Sequence, residues 1–112
     1  MQLTIRTRSV DLTPALRAQI ERRVGFAMAR LGTAIRELEI TLADVNGPRG
    51  GIDKQCRVQV HGDQLPPVVI EAAADALPTA IDRALGRAAR AVVRARGRRR
   101  TFAPALPRAV AA

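Results

Sequence analysis

Four stretches of the chain alternate between apolar and polar positions. Leu3, Ile5 and Thr7 alternate with Gln2, Thr4, Arg6 and Arg8, and Leu38, Ile40 and Leu42 with Glu37, Glu39 and Thr41. Cys56, Val58 and Val60 alternate with Gln55, Arg57, Gln59 and His61, and Val68, Ile70 and Ala72 close the series around Glu71. A period of two is what a strand with one buried face requires, because successive side chains point to opposite faces. Two other stretches repeat at three and four: Leu16, Ile20, Val24, Ala27, Met28, Leu31, and Leu77, Ile81, Ala84, Leu85, Ala88, Val92, Ala95. Each makes one apolar stripe on a helix. Thr13 is placed to cap the first helix, with Pro14 in the first turn, where its missing N–H costs nothing. Gly32 is expected to end that helix in the left-handed conformation. Asp75 is expected to cap the second, with Pro78 in its first turn and Gly97 as its end.

The predicted order is strand, helix, three strands, helix. The off-face strand residues are mostly polar, so the sheet has one wet face and both helices belong on the dry one. The expected fold is therefore α+β: a two-layer βαβββα sandwich with a four-stranded mixed sheet. Strands one and two are expected to be parallel with a right-handed crossover, and the others antiparallel. Helices on one face of an antiparallel sheet also make this double-stranded-RNA-binding-domain-like. Between the second and third strands, Asn46-Gly47-Pro48-Arg49-Gly50-Gly51 reads as a hairpin loop longer than the minimal two residues. Residues 1–97 form the expected domain. Residues 98–112, basic and then rich in Ala and Pro, are the expected disordered tail.

With 112 residues and 47% hydrophobic content, the chain has room for one ordinary core, but aromatics are only 2%, so aliphatic side chains must fill it. The net charge of +9 changes the picture more. It predicts attraction to a polyanion. Every basic residue except Lys54 is Arg, the side chain suited to bidentate phosphate contact. No acid follows Asp82, whereas Arg83, Arg87, Arg90, Arg94, Arg96, Arg98, Arg99 and Arg100 do. At about 100° per residue, Arg83, Arg87, Arg90 and Arg94 fall within an arc of roughly 60°. Arg22, Arg23 and Arg30 hold a comparable flank of the first helix, with Gln19 and Phe26 between them. Such like charges repel one another, so a purely structural role explains them poorly. They are the expected RNA-binding residues, and Arg49, Lys54, Arg98, Arg99 and Arg100 are additional candidate contacts.

Specific base reading has less support. There is no zinc-ligand spacing, no aromatic strand motif and no GXXG clamp, and two Phe residues cannot build a platform for successive bases. Recognition of phosphate and shape in structured RNA fits better. Nothing points to an enzyme. His61, the lone histidine, lies on a polar strand face, and Cys56 alternates with the buried set. Asp53 and Lys54 suit a local ion pair, and Asp44 with Asp53 lacks an accompanying base or cleft. The Gly-rich loop leads from strand to strand, so no helix N-terminus follows to receive a phosphate. No cofactor, metal or small-molecule substrate is expected. One cysteine excludes an internal disulfide, and no apolar run spans a membrane; a cytoplasmic location is the expectation.

The run Asp44-Val45-Asn46-Gly47-Pro48-Arg49-Gly50-Gly51-Ile52-Asp53-Lys54-Gln55-Cys56 resembles the strand–loop–strand signature of the bacterial ribosome hibernation-promoting factor family. That family is also called ribosome-associated inhibitor or sigma-54 modulation proteins. Leu12-Thr13-Pro14-Ala15-Leu16 looks like the start of its first helix, and Ala80-Ile81-Asp82-Arg83-Ala84 like that of its second. The resemblance spans about residues 1 to 100 and implies the same βαβββα fold. It implies a short-form translation inhibitor, monomeric off the ribosome, bound to the small ribosomal subunit and its ribosomal RNA over the mRNA and tRNA channel. It also implies a role in stress or stationary phase, with the helix arginines named above meeting the RNA. A general structured-RNA-binding module and a regulator acting through protein contacts are the alternatives. No counterpart of the long members' second domain is expected after Arg100, and Pro78 with the Ala-rich second helix departs from the family's more polar helix.

Overall fold

A computed structural model describes residues 1–45 and 53–111 of the backbone, with side chains over 1–31, 34–45 and 53–96. The elements are β1 (Gln2–Arg8), α1 (Pro14–Met28), β2 (Ile35–Asp44), β3 (Lys54–Gly62), β4 (Val68–Ala74) and α2 (Leu77–Ala111). A 3-10 turn, Ala29–Ala34, joins α1 to β2. The sheet runs β1-β2-β3-β4, with β1 parallel to β2 and the remaining pairs antiparallel. This is the expected α+β sandwich with four strands in one mixed sheet and two helices.

The register explains why the alternation works. Ile5, Ile40, Val58 and Ile70 lie side by side in one row, and Thr7, Leu42, Cys56 and Ala72 in the next. These rows face the helices, and their central members, Leu42, Ile40, Cys56 and Val58, are buried. Leu3, Ile5, Val68 and Ile70 are only half-buried because β1 and β4 are the edges. From the helices, Ile20, Val24, Met28, Ile81, Leu85 and Val92 complete the core. The opposite rows, Thr4-Glu39-Gln59-Val69 and Arg6-Thr41-Arg57-Glu71, make the outer face. Ion pairs run across it from Arg6 to Glu39 and from Arg57 to Glu71.

Thr13 caps α1 as expected: its hydroxyl accepts from the Leu16 amide at 3.1 Å, with Pro14 in the first turn. Three helix boundaries differ from expectation. The α-helix ends at Met28 rather than at Gly32, because the chain tightens into the 3-10 turn, whose i to i+3 bonds take up the last carbonyls. The second helix is not capped by Asp75. It starts at Leu77, and the Ala76 carbonyl accepts its first intrahelical bond, from the Ala80 amide at 3.1 Å. Nor does Gly97 end α2, whose helical backbone continues to Ala111. A glycine weakens a helix by about 1 kcal/mol relative to alanine but keeps its N–H, and the arginines that follow are good helix formers.

Candidate nucleic-acid interface

The two helices lie side by side, and between them runs an open groove on the side away from the sheet. Both begin with Pro in the first turn and both spend their apolar stripe on the core, so their remaining flanks define this surface. One part of the groove is lined by Arg22, Arg23 and Phe26 of α1 and by Asp82, Leu85, Gly86 and Ala89 of α2. The other part is lined by Phe26, Arg30 and Leu31 on one side and by Gly86, Arg90, Val93 and Arg94 on the other. Gly86 and Ala89, small residues on the α2 wall, keep it open.

Of the expected helix arginines, the fold brings Arg22, Arg23, Arg30, Arg90 and Arg94 to this groove. Arg87 is exposed on α2 but does not line it. Two arginines are held by the protein itself. Arg23 is ion-paired to Asp82 across the helix interface, and Arg83 donates to the Ala73 carbonyl at 2.9 Å, tying the start of α2 to β4. Among the described residues, Arg22, Arg30, Arg87, Arg90 and Arg94 have no ion-pair partner, while most acids are engaged elsewhere. Glu39, Glu71 and Asp63 pair with Arg6, Arg57 and Arg36 on the sheet and its connections, and Glu21 with Arg17 on α1. The helical layer therefore carries uncompensated positive charge.

Lys54, a further candidate contact, is engaged at the base of the β2–β3 connection. Its Nζ lies 3.0 Å from Asp53 Oδ1 and 3.2 Å from Asp44 Oδ2. The hydrogen bond to Asp53 raises the ammonium pKa above its ordinary 10.5 despite some desolvation, and Asp44 adds to the effect. Asp53 is 1% exposed, and its Oδ2 has no hydrogen-bond partner among the described residues. Its carbonyl accepts from the Val45 amide at 2.9 Å, closing the ends of the connection. Arg49 and the signature residues 46–52 lie outside the described residues, as do the side chains of Arg98, Arg99 and Arg100.

His61 is exposed on β3 and pairs in register with Glu37. Cys56 is buried, and burial pushes its thiol up to about 12, so it carries no thiolate near neutrality. No cluster of three or more His, Cys, Asp or Glu that could hold a metal occurs among the described residues. No helix in the described residues is long and apolar enough to cross a membrane. In the sequence Phe26 reads only as a spacer between arginines, yet it is 90% exposed and lines both parts of the groove. Its spacing of four from both Arg22 and Arg30 was the available signal, since that spacing places three side chains in one row.

Residues 3–100 match the profile of a family described as sigma 54 modulation protein / S30EA ribosomal protein. No curated protein matches the sequence significantly. Among solved structures, a ribosomal subunit interface protein from Coxiella burnetii superposes with a TM-score of 0.72 at 17% identity, covering 87% of this chain and 99% of that one. The N-terminal domain of Protein Y from Thermus thermophilus superposes with a TM-score of 0.69 at 22% identity, covering 84% and 98%. At such identities the likeness concerns the fold.

Proposed function

Because the chain belongs to the sigma 54 modulation protein / S30EA ribosomal protein family, we propose that it is a ribosome-associated translation inhibitor. In this reading it acts as a hibernation factor. It sits on the small ribosomal subunit, where the mRNA and tRNA channel lies, and keeps ribosomes idle under stress or in stationary phase. No bond is made or broken. The protein occupies space that mRNA and tRNA need, and its partner is ribosomal RNA. The Coxiella burnetii protein of the same fold is described as a ribosomal subunit interface protein, which agrees with a ribosomal location.

The observation that carries the reading is the inter-helix groove. Arg22, Arg30, Arg90 and Arg94 line it without an ion-pair partner among the described residues, although the chain contains acids enough to satisfy several of them. An A-form RNA backbone offers closely spaced phosphates, and each phosphate neutralised releases counterions, so binding weakens steeply with salt.

Sedimentation with ribosomes at low and high salt tests this. The chain is expected to travel with the small subunit at low salt, and Arg30→Glu with Arg90→Glu is expected to abolish that. Association unaffected by the double reversal would remove the groove as the binding surface. Equal affinity for arbitrary duplex RNA and for ribosomes would make the chain a general RNA-binding module instead.

A further inference from the structure

Phe26 has no structural reason to be where it is. The chain has only two phenylalanines and no tyrosine or tryptophan, and a core short of aromatics would gain from burying one. Yet Phe26 is 90% exposed, more than any other large hydrophobic side chain among the described residues. It stands one helical turn from Arg22 and one from Arg30, and it lines both parts of the groove, opposite Gly86 and Ala89. Across from it, Arg90 and Arg94 flank Val93, which is 55% exposed.

We propose that Phe26 is a stacking site for one unpaired RNA base, whose flanking phosphates are held by Arg22, Arg30, Arg90 and Arg94. This rests on the RNA-binding reading above and adds to it a preference for RNA with an unstacked nucleotide. An aromatic ring offers a flat apolar face to any base, and guanidinium groups around it neutralise the phosphates on either side. The interior of a duplex cannot use such a site, because both faces of each interior base are already stacked. One ring accommodates one base, so the site marks a single extruded nucleotide within structured RNA rather than a continuous single strand. A lipid surface would need a broad apolar face, but the apolar stripes of both helices are spent in the core. An acidic protein partner would satisfy the charge equally, but a site built for one would not discriminate a base-bearing RNA from an abasic one.

The full chain carrying Phe26→Trp has its only indole at the site, without background from other tryptophans or tyrosines. It would be titrated with an octamer of adenylate, an eight-base-pair RNA duplex and an abasic ribose–phosphate octamer, all at one salt concentration. Strong quenching is expected with the adenylate octamer and little with the other two. Phe26→Ala and Phe26→Leu should each weaken octamer binding by about fivefold or more, leaving duplex binding unchanged. Because the side chain is exposed, none of these changes touches the core. Equal quenching by the abasic probe, or full affinity in Phe26→Leu, would overturn the stacking site. So would anionic phosphatidylglycerol vesicles, if their binding depended on Phe26 while RNA binding did not. If Phe26→Ala binds RNA and ribosomes like the parent while the Arg30 and Arg90 reversals do not, stacking fails and the RNA reading stands. If the parent binds neither RNA nor ribosomes, both fail together.

Discussion

Arg23 of α1 donates to Asp82 of α2, joining the helices across 59 positions of chain at one wall of the groove. The two side chains are 31% and 57% exposed, so water and salt screen the pair, and it contributes about 0–1 kcal/mol. Its larger effect is on potential, since Asp82 is the one carboxylate lining the groove and it neutralises Arg23. Asp82→Asn should therefore cost less than about 1 kcal/mol of stability. It should also tighten RNA association and steepen the salt dependence by about one counterion. Thermal melts and salt titrations of ribosome binding would check both parts. Weakened binding would mean that Arg23 is useful only while Asp82 holds it.

Two glycines should respond in opposite ways to alanine. A Cβ at Gly62 would fall on the Ala34 carbonyl oxygen, a backbone atom that cannot swing away, with Leu65 Cδ1 at 2.7 Å. Gly62 faces Ile35 beside an irregularity in the β2–β3 register, where the chain leaving the 3-10 turn passes closest. Gly62→Ala should cost about 1–3 kcal/mol or more. A Cβ at Gly25, exposed within α1, meets nothing within 4 Å. Gly25→Ala should stabilise by about 0.5–1 kcal/mol, because alanine loses less backbone freedom in a helix. Denaturant unfolding of the two variants would show shifts of opposite sign.

Cys56 should be inert in the native protein. Its thiol is raised from 9.0 to about 12 by burial, and reaction requires the core to open. At pH 8, labelling by a thiol reagent should be on the order of 10³-fold slower than in denaturant. The same shift makes folding pH-dependent. An unfolded chain loses the Cys56 proton above about 9 while the folded chain keeps it to about 12, so this contribution to stability falls as pH rises through that window. Labelling that stayed fast in native conditions would place the thiol outside the core.

Lys54 should stabilise the β2–β3 junction over a defined range of pH. Its pKa is raised chiefly by the hydrogen bond to Asp53, so its contribution is complete below 10.5 and is lost as pH rises through the raised value. Removing it also leaves the buried Asp53 side chain without its counter-charge. Lys54→Met should melt lower than the parent by a margin that is constant from neutrality to about pH 9 and narrows above about pH 10.5. Cys56 is common to both proteins and drops out of the difference. A margin independent of pH throughout would assign the loss to packing rather than charge.

Much of the fold was legible because alternation leaves little freedom. Slipping β2 against β3 by one residue would set Leu38, Ile40 and Leu42 opposite the polar set of β3 instead of Val60, Val58 and Cys56, so the alternation excludes every odd-numbered slip. The arginine surface was legible in outline but not in detail. The arc of Arg83, Arg87, Arg90 and Arg94 is a property of one helix, whereas the groove depends on where the other helix lies. Arg90 and Arg94 face it, Arg87 lies beyond its edge, and Arg83 is spent on the Ala73 carbonyl. The helix ends were read least well, because a glycine permits a stop without enforcing one and caps depend on which carbonyl the next turn reaches.

The residues alone determined the order of elements, the buried face of each and the excess of arginine over acid on the helices, because these follow from local periodicity and composition. Only the tertiary structure decided which charges remain available. Arg23 meets Asp82, and Lys54 meets Asp53 and Asp44, across contacts that chain spacing does not announce. It also decided that Phe26, in one row with Arg22 and Arg30 on α1, faces a second wall that carries Arg90 and Arg94. The cause is geometric: a helix fixes angles about its own axis, and the packing of two helices on one sheet turns those angles into a shared surface.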